Sequence, residues 1–355
     1  MTGPNMLLDP ARLGSEAENL EKDLRRRVVG QEDAVRQIVD MYQTFLAGMA
    51  TPGRPVGTLL FLGPTGAGKT HTVEALAESL AGDRLAVLKI DCGEFQHSHE
   101  IAKLIGSPPG YLGHRETHPL LSQEALDQFH TEKLKLSFVL FDEIEKASDA
   151  LWNLLLGILD KATLTLGDNR RVDFSRAMIF LTSNLGAADM NAILHPKLGF
   201  TAGHAVPLDD ATTGRLARSG LEAARRRFSP EFMNRIDRTV VFRPLGSAEL
   251  CRVLDLELEA VQERLERSAE APLVQFTVND AAREFLLREG VDPRYGARHL
   301  KRAIERRLVH PLSSLIATGQ IQAQDRLVVD FDPGQQRLLF FKEFREPVAA
   351  AATAA

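Results

Sequence analysis

A glycine-rich segment carries the clearest chemistry in the sequence. Residues 63–70 fit the pattern G-x-x-x-x-G-K-[ST]. Its glycines let successive backbone N–H groups turn inward and form a concave site for an anion. A helix that starts at the end of the segment would add partial positive charge. We therefore predict a phosphate-binding loop in which Lys69 reaches the β- and γ-phosphates of a nucleotide and the Thr70 hydroxyl binds Mg²⁺. The loop consists of Gly63, Pro64, Thr65, Gly66, Ala67, Gly68, Lys69 and Thr70.

Two adjacent carboxylates follow an apolar run. Phe138–Asp142 reads as a buried strand, and Glu143 comes directly after it. In open parallel sheets, ligands bind at the carboxyl ends of the strands. We expect Asp142 to hold Mg²⁺ through its water shell. Glu143 is predicted to orient or deprotonate the water that attacks the γ-phosphate.

Asn184 is a third candidate of the same kind. It follows the apolar run Met178–Thr182 after one further residue, Ser183. Its side-chain amide could hold the attacking water or sense the γ-phosphate, and we predict this catalytic role for it. Because Asn is common in turns at strand ends, an ordinary turn residue is the alternative.

These residues require a sheet that brings several strand ends together. Five short apolar runs, each followed by polar or helical sequence, indicate βα units around a buried, mostly parallel sheet. The predicted fold class is therefore α/β, with a five-stranded sheet. The predicted strands are Thr58–Leu62, Ala86–Asp91, Phe138–Asp142, Met178–Thr182 and Thr239–Phe242.

The pattern changes after Pro244. Ser247–Arg267 reads as one long amphipathic helix, and shorter strands and helices follow it. We predict a flexible lead-in at 1–16, a large nucleotide-binding domain at 17–245, a smaller α/β cap domain at 246–345 and a disordered alanine-rich tail at 346–355. Within the cap domain, Gly296–Leu315 is predicted to be a single helix.

Composition narrows the class of protein. Hydrophobic residues make up 44% of the 355 residues and charged residues 26%, which excludes a disordered chain and a collagen-like chain. The net charge of -5 argues against a strongly basic nucleic-acid binder. Two cysteines, Cys92 and Cys251, cannot form a disulfide framework. We find no secretory signal and no long apolar run, and therefore expect a soluble cytoplasmic protein with no membrane partner.

Taken together, the motifs resemble the AAA+ ATPases of the Clp family, specifically the second ATPase module of ClpB, ClpA and ClpC. The resemblance extends from Arg27 to Lys342. Besides the loop and the carboxylates, it rests on four further segments. They are Val28–Gln31, Gly106–Gly113, Ser229–Asp237 and Tyr295–Arg302.

The resemblance implies roles for two arginines. Arg235 matches the family's arginine finger, which completes the nucleotide site of a neighbouring subunit and stabilises charge on the γ-phosphoryl group. Between positions 215 and 238 seven arginines stand against three acids, a surface suited to such docking. A surface ion pair with Asp237 is the alternative. Arg298 matches the second sensor, which would contact the γ-phosphate of its own subunit.

The resemblance also implies contacts with adenine and with substrate. Val28 and Val29 would line the adenine pocket. Gly110, Tyr111, Leu112 and Gly113 resemble the loop that grips polypeptide in the central pore, because an aromatic ring can pack on any extended backbone. Gly167–Arg171 resembles a second, more polar loop facing the same channel. The family's coiled-coil insertion has no counterpart in this sequence, and residues 114–119 depart from the usual glycine-rich stretch.

The implied function is an ATP- and Mg²⁺-dependent unfoldase. ATP would promote a homo-hexameric ring that threads unfolded or aggregated polypeptides through its pore. One alternative is an ATPase subunit that feeds a ClpP-type peptidase, since Leu198-Gly199-Phe200 resembles the tripeptide that docks on ClpP. Two others are an AAA+ nucleic-acid motor or loader, and a regulator that binds ATP without hydrolysing it.

Overall fold

The computed structural model describes residues 8–107, 118–194, 209–267, 274–291 and 297–343. The chain divides into two compact units, residues 1–244 and 245–355. In unit 1 the strands are β1 Gly57–Leu62, β2 Leu88–Asp91, β3 Ser137–Asp142, β4 Thr163–Thr165, β5 Arg171–Asp173, β6 Ala177–Ser183 and β7 Arg238–Val241. Its helices are α1 Ser15–Arg27, α2 Glu32–Leu46, α3 Lys69–Ala81, α4 Ala102–Ile105, α5 Gln123–Asp127, α6 Asp149–Lys161, α7 Ala187–Leu194, α8 Asp210–Arg227 and α9 Pro230–Met233.

Unit 1 is built on a five-stranded sheet with the order β2-β3-β6-β1-β7. Every pairing in it is parallel, which confirms the predicted α/β fold class. All six residues of β1 are buried, as expected of a strand covered on both faces. Along β1, Leu60 and Leu62 pack into one hydrophobic cluster while Leu59 and Phe61 pack into another. The core of unit 1 therefore lies in two layers, one on each side of the sheet.

The register of the sheet places the predicted site residues at one edge. Leu62 pairs with Ser183, and Phe141 pairs with Leu181. The carboxyl ends of β1, β3 and β6 therefore lie side by side, and the residues that follow these strands are neighbours in space.

A two-stranded hairpin was not predicted. β4 and β5 pair antiparallel, and the Leu166 N–H donates to the Arg170 carbonyl at 2.8 Å across the turn. Asn169 takes a positive φ of 68° in this turn, a conformation that Asn adopts more readily than most residues. The segment Gly167–Arg171, predicted to be a polar loop, is therefore the tip of a short hairpin. Whether it faces a channel stays a prediction.

Unit 2 is a smaller α/β unit. Its strands are β8 Gln275–Val278, β9 Arg326–Asp332 and β10 Arg337–Lys342, and its helices are α10 Ser247–Arg267, α11 Asp280–Gly290, α12 Leu300–Ile304 and α13 His310–Ala317. The three strands form a sheet of order β10-β9-β8. β8 runs parallel to β9, and β10 runs antiparallel to it.

The helix predicted at Gly296–Leu315 is not α-helical throughout. A 3₁₀ turn at Ala297–His299 precedes α12, and a π-helical turn at Glu305–Val309 separates α12 from α13. Pro311 stands in the first turn of α13. Because proline has no N–H to donate and its ring crowds the carbonyl four residues earlier, the regular α-helical pattern is disrupted there. The segment is therefore helical from Ala297 to Ala317, close to the predicted range, but its hydrogen-bonding pattern changes along its length.

Within the described ranges, no helix is both long enough and apolar enough to cross a membrane. The alanine-rich tail at 346–355 and the first seven residues of the lead-in lie outside those ranges.

Close packing in unit 2 leads to a stability prediction. A Cβ added at Gly290 would lie 2.6 Å from the Leu300 Cα, which is backbone and cannot move aside. We expect Gly290→Ala to destabilise the chain by about 1–3 kcal/mol, as overpacking does in other cores. Gly214→Ala is the matched control, because this helical glycine has open space around it and alanine favours a helix by up to about 1 kcal/mol. Urea unfolding of both variants measures the difference, and equal stability would contradict the packing argument.

Candidate active site

The phosphate loop connects β1 to α3 in the predicted manner. Gly63, Gly66 and Gly68 have φ angles of 145°, 80° and 94°, values that favour glycine strongly. At Gly63 space is also limiting, since a Cβ there would lie 2.4 Å from the Phe242 carbonyl oxygen. α3 begins at Lys69 and has 13 residues, so its N-terminal partial charge points at the loop. The backbone thus fits a phosphate group.

Lys69 lies inside the loop and is only 8% exposed. Its ammonium donates to the carbonyl oxygens of Gly63 at 2.7 Å and Pro64 at 3.0 Å, and to the Asn184 side-chain oxygen at 2.9 Å. A buried cation needs such partners, because burial without them is costly. Since these acceptors are neutral, a negatively charged phosphate oxygen would compete well for the same ammonium.

Thr70 and Asp142 face each other across the space between the loop and β3. The Thr70 Oγ lies 3.4 Å from both carboxylate oxygens of Asp142. The Thr182 hydroxyl donates to Asp142, and the Lys89 Nζ lies 3.2 Å from its Oδ2. Mg²⁺ prefers hard oxygen ligands, and the Thr70 hydroxyl and the Asp142 carboxylate supply such oxygens beside the position of the nucleotide phosphates. Thr70 and Asp142 therefore fit the predicted magnesium site.

Glu143 lies next to Asn184. The Asn184 Nδ2 donates to Glu143 Oε1 at 3.0 Å, and Lys146 forms an ion pair with the other carboxylate oxygen. The hydrogen bond from Lys146 to Glu143 and the negative charge of Glu143 raise the pKa of Lys146 above its usual value. The Glu143 backbone has a φ of 57°, an uncommon conformation for a non-glycine residue that often marks functional sites. Its N–H donates to the Thr182 hydroxyl at 3.0 Å.

The structure thus brings Lys69, Thr70, Asp142, Glu143 and Asn184 together at one edge of the sheet. Sequence reasoning did not find several residues that hold them in place. Thr182 bonds to both Asp142 and Glu143, and Glu145 accepts the Asn184 N–H at 3.0 Å. Lys146 also holds Glu143 in place, and its position three residues after Glu143 is a sequence signal that favours such an ion pair. Nothing comparable marks Thr182, which reads as an ordinary strand residue.

The segment expected to line the adenine pocket is joined to the phosphate loop. The buried Gln31 side-chain nitrogen donates to the Ala67 carbonyl at 3.1 Å and to the Arg243 carbonyl at 2.9 Å. Val28 is buried, and Val29 is half-buried. Gln31 therefore fixes this segment beside the loop. The base-binding role of Val28 and Val29 stays a prediction.

Arg235 forms a two-point ion pair within its own unit. Its Nε and Nη2 donate to the two carboxylate oxygens of Asp160 at 2.7 Å and 2.8 Å, and these hydrogen bonds lower the pKa of Asp160 below its usual value. The alternative partner considered from the sequence, Asp237, is bonded elsewhere. It accepts the Thr58 N–H at 2.8 Å and lies 3.5 Å from Arg54.

The remaining predicted residues cannot be placed at the site. Arg298 is exposed in the 3₁₀ turn of unit 2, so its sensor role stays a prediction. Two predicted segments lie outside the described residues. They are the pore loop with Gly110, Tyr111, Leu112 and Gly113, and the docking tripeptide Leu198-Gly199-Phe200.

Comparison with known proteins agrees with this geometry. Residues 54–239 match the family model "AAA domain (Cdc48 subfamily)". Residues 245–329 match "C-terminal, D2-small domain, of ClpB protein". The second match begins at the boundary between the two units.

Several curated proteins are similar over most of the chain. The chaperone protein ClpB of Bdellovibrio bacteriovorus is 39% identical over 89% of this chain and 34% of its own length. The ATP-dependent Clp protease ATP-binding subunit ClpC of Staphylococcus saprophyticus is 37% identical over 88% of this chain and 36% of its own length. The chain therefore spans about a third of the length of these relatives.

A solved structure is also similar. It is described as "Closed State CryoEM Reconstruction of Hsp104:ATPyS and FITC casein", with a TM-score of 0.74 and 28% identity over 92% of this chain and 52% of that one. Because the AAA family model covers more than half of the residues, the chain belongs to the AAA family of ATPase domains, and its small domain and relatives place it with the second ATPase module of the Clp chaperones.

Proposed function

We propose that this chain binds ATP with Mg²⁺, hydrolyses it, and uses the energy to pull polypeptides through the pore of a homo-hexameric ring. The observation that carries the proposal is the arrangement of Lys69, Asp142, Glu143 and Asn184 at one edge of the sheet. Family membership supports ATP hydrolysis, and relatives named as ClpB chaperones support action on proteins.

In the proposed reaction the chain positions groups and stabilises charge. The loop N–H groups, the start of α3 and Lys69 hold the phosphates, while Mg²⁺ at Thr70 and Asp142 would neutralise negative charge on them. Asn184 orients Glu143 through its Nδ2, and the Glu143 carboxylate accepts a proton from the attacking water. Arg235 from a neighbouring subunit then stabilises charge on the transferred γ-phosphoryl group.

Action on polypeptides is supported by similarity to a solved structure whose description includes casein and a nucleotide. The nucleic-acid alternative is less well supported, because the chain is acidic overall and its relatives are named as chaperones. Comparing how unfolded casein and single-stranded DNA stimulate ATP hydrolysis separates the two. Stimulation by DNA alone would contradict the proposal.

The peptidase-feeding alternative depends on Leu198-Gly199-Phe200. This tripeptide lies outside the described residues, and the similarity to a ClpC subunit is the observation in its favour. We therefore keep the stand-alone unfoldase as the primary proposal.

The pore-loop assignment leads to a direct test of threading. Tyr111→Ala should leave basal ATP hydrolysis within about twofold, because Tyr111 is assigned to substrate and not to nucleotide, and should slow unfolding of a tagged fluorescent reporter by about tenfold or more. Tyr111→Phe is the matched control, since it keeps the ring and should keep most of the unfolding rate. Reporter unfolding by Tyr111→Ala at the wild-type rate would show that another segment grips the substrate.

A further inference from the structure

The turn that follows Glu143 is held by two side chains from other helices. The Trp152 Nε1 of α6 donates to the Ile144 carbonyl at 3.1 Å. The Arg227 Nη2 at the end of α8 donates to the Glu145 carbonyl at 2.9 Å. The two side chains also contact each other, because the Arg227 guanidinium carbon lies 4.4 Å from the centre of the indole ring. This distance is typical of a cation–π interaction.

The same pair is packed against the segment that carries Arg235. The Trp152 ring lies 5.7 Å from the ring of Phe228 and 6.4 Å from that of Phe232. Phe228 and Phe232 are 3% and 1% exposed, so both are fixed in the core. Phe232 belongs to α9, and its carbonyl accepts the Arg235 N–H at 3.1 Å. An unbroken series of contacts therefore runs from residues 144–145 to Arg235.

The other end of this series is the nucleotide site. The Asn184 Oδ1 accepts a hydrogen bond from the Lys69 ammonium. The Asn184 Nδ2 donates to the Glu143 carboxylate, and the Asn184 backbone N–H donates to the Glu145 carboxylate. A phosphate that replaces Asn184 as an acceptor of the Lys69 ammonium would release the Asn184 side-chain oxygen. Because Asn184 also bonds to Glu143 and Glu145, a shift of Asn184 would be passed on to the turn at 144–146. Trp152 and Arg227 bind the backbone of that turn and would respond.

We propose that Trp152 and Arg227 are positioning residues that link the nucleotide site of a subunit to the Arg235 which the same subunit offers to its neighbour. This inference rests on the proposed function, since it assumes that Arg235 acts at a neighbouring site. It adds that the position of the finger depends on the nucleotide bound in its own subunit. Neither residue touches the nucleotide in this proposal, and both act through Arg235.

A double-mutant cycle tests the link. Arg227→Ala should lower the ATP hydrolysis rate about fivefold, a decrease typical of residues that couple two sites. The ATP affinity of this variant should stay within about twofold of that of the wild type. In an Arg235→Ala background the same change should lower the rate by less than about twofold, because residues that act through a common partner are not additive. Equal losses in both backgrounds would overturn the inference.

Two controls separate this link from a general loss of structure. Arg36→Ala removes an exposed arginine paired with Asp33 on its own helix and should leave the rate unchanged. Arg227→Lys keeps the charge but loses the planar guanidinium, so it should recover only part of the rate. Thermal unfolding and light scattering check that each variant folds and assembles as the wild type does. A loss with Arg36→Ala equal to that of Arg227→Ala would also overturn the inference.

Tryptophan emission gives a second readout that does not depend on hydrolysis. Trp152 is the only tryptophan in the sequence, so the emission of the whole chain reports on this position. Adding ATPγS should change the emission of the wild type and leave that of Arg227→Ala closer to its starting value. Unchanged wild-type emission at saturating ATPγS would overturn the inference. A chain that binds ATP without hydrolysing it would instead contradict the proposed function, and its emission would still decide the inference.

Discussion

Replacing Glu143 with glutamine is expected to lower the ATP hydrolysis rate by about 10²–10⁴-fold, the range that a positioned general base contributes. Glutamine keeps the length of the side chain and an oxygen that can accept the Asn184 Nδ2. It cannot accept a proton from water at neutral pH. ATP affinity should therefore stay close to that of the wild type. Phosphate release measures the rate, and equilibrium titration with a fluorescent nucleotide measures the affinity.

Lys69→Ala supplies the contrast to Glu143→Gln. Lys69 is predicted to contact the phosphates themselves, so its removal should weaken ATP binding as well as hydrolysis. The two variants therefore separate binding from chemistry. If Glu143→Gln hydrolyses ATP at a rate near that of the wild type, the assignment of Glu143 to the attacking water is wrong.

Replacing Arg235 with alanine is expected to lower hydrolysis by about 10²-fold or more, since an arginine finger contributes strongly to γ-phosphoryl transfer. ATP binding should remain, because Arg235 contacts Asp160 and lies outside the loop of its own subunit. Arg25→Ala is the matched control, as the Arg25 Nε and Nη2 likewise donate to a carboxylate, through one oxygen of Glu21 on α1. That variant should hydrolyse ATP at the wild-type rate.

Mixed rings test whether Arg235 acts on a neighbour. A ring made from Arg235→Ala and Glu143→Gln subunits contains some sites where an intact Glu143 borders an intact Arg235. Such rings should recover part of the activity that either variant lacks alone. The absence of recovery in rings shown to contain both subunits would count against action between subunits.

The elements that could be predicted from sequence are those whose residue pattern follows directly from burial. The three central strands of the five-stranded sheet are mostly apolar and buried because both faces of the sheet are covered. The edge strands β2 and β7 also carry exposed polar residues, but short apolar runs still located all five strands to within two residues. β4 and β5 could not be found in this way. They have three residues each, and their outer positions are exposed, which leaves no apolar run.

The part of the site that could be predicted is the part with a signal in the local sequence. The phosphate loop has a local spacing that reflects its geometry, and the carboxylates and Asn184 follow apolar strands. The Asp160 partner of Arg235 lies 75 positions away, and Gln31 reaches a carbonyl 36 positions away. Such contacts are set by how helices pack against the sheet. A single sequence carries no local signal for them.

The ion pair between Arg235 and Asp160 has a consequence for how a ring of such subunits exchanges its members. In the proposed ring, a subunit that leaves would not expose an unpaired guanidinium, because Asp160 on α6 receives it with two hydrogen bonds. A subunit that joins would exchange this carboxylate for the phosphate of its neighbour, so the guanidinium would have an anionic partner in both states. In the proposed ring, such an exchange of partners would favour reversible opening and the replacement of a stalled subunit.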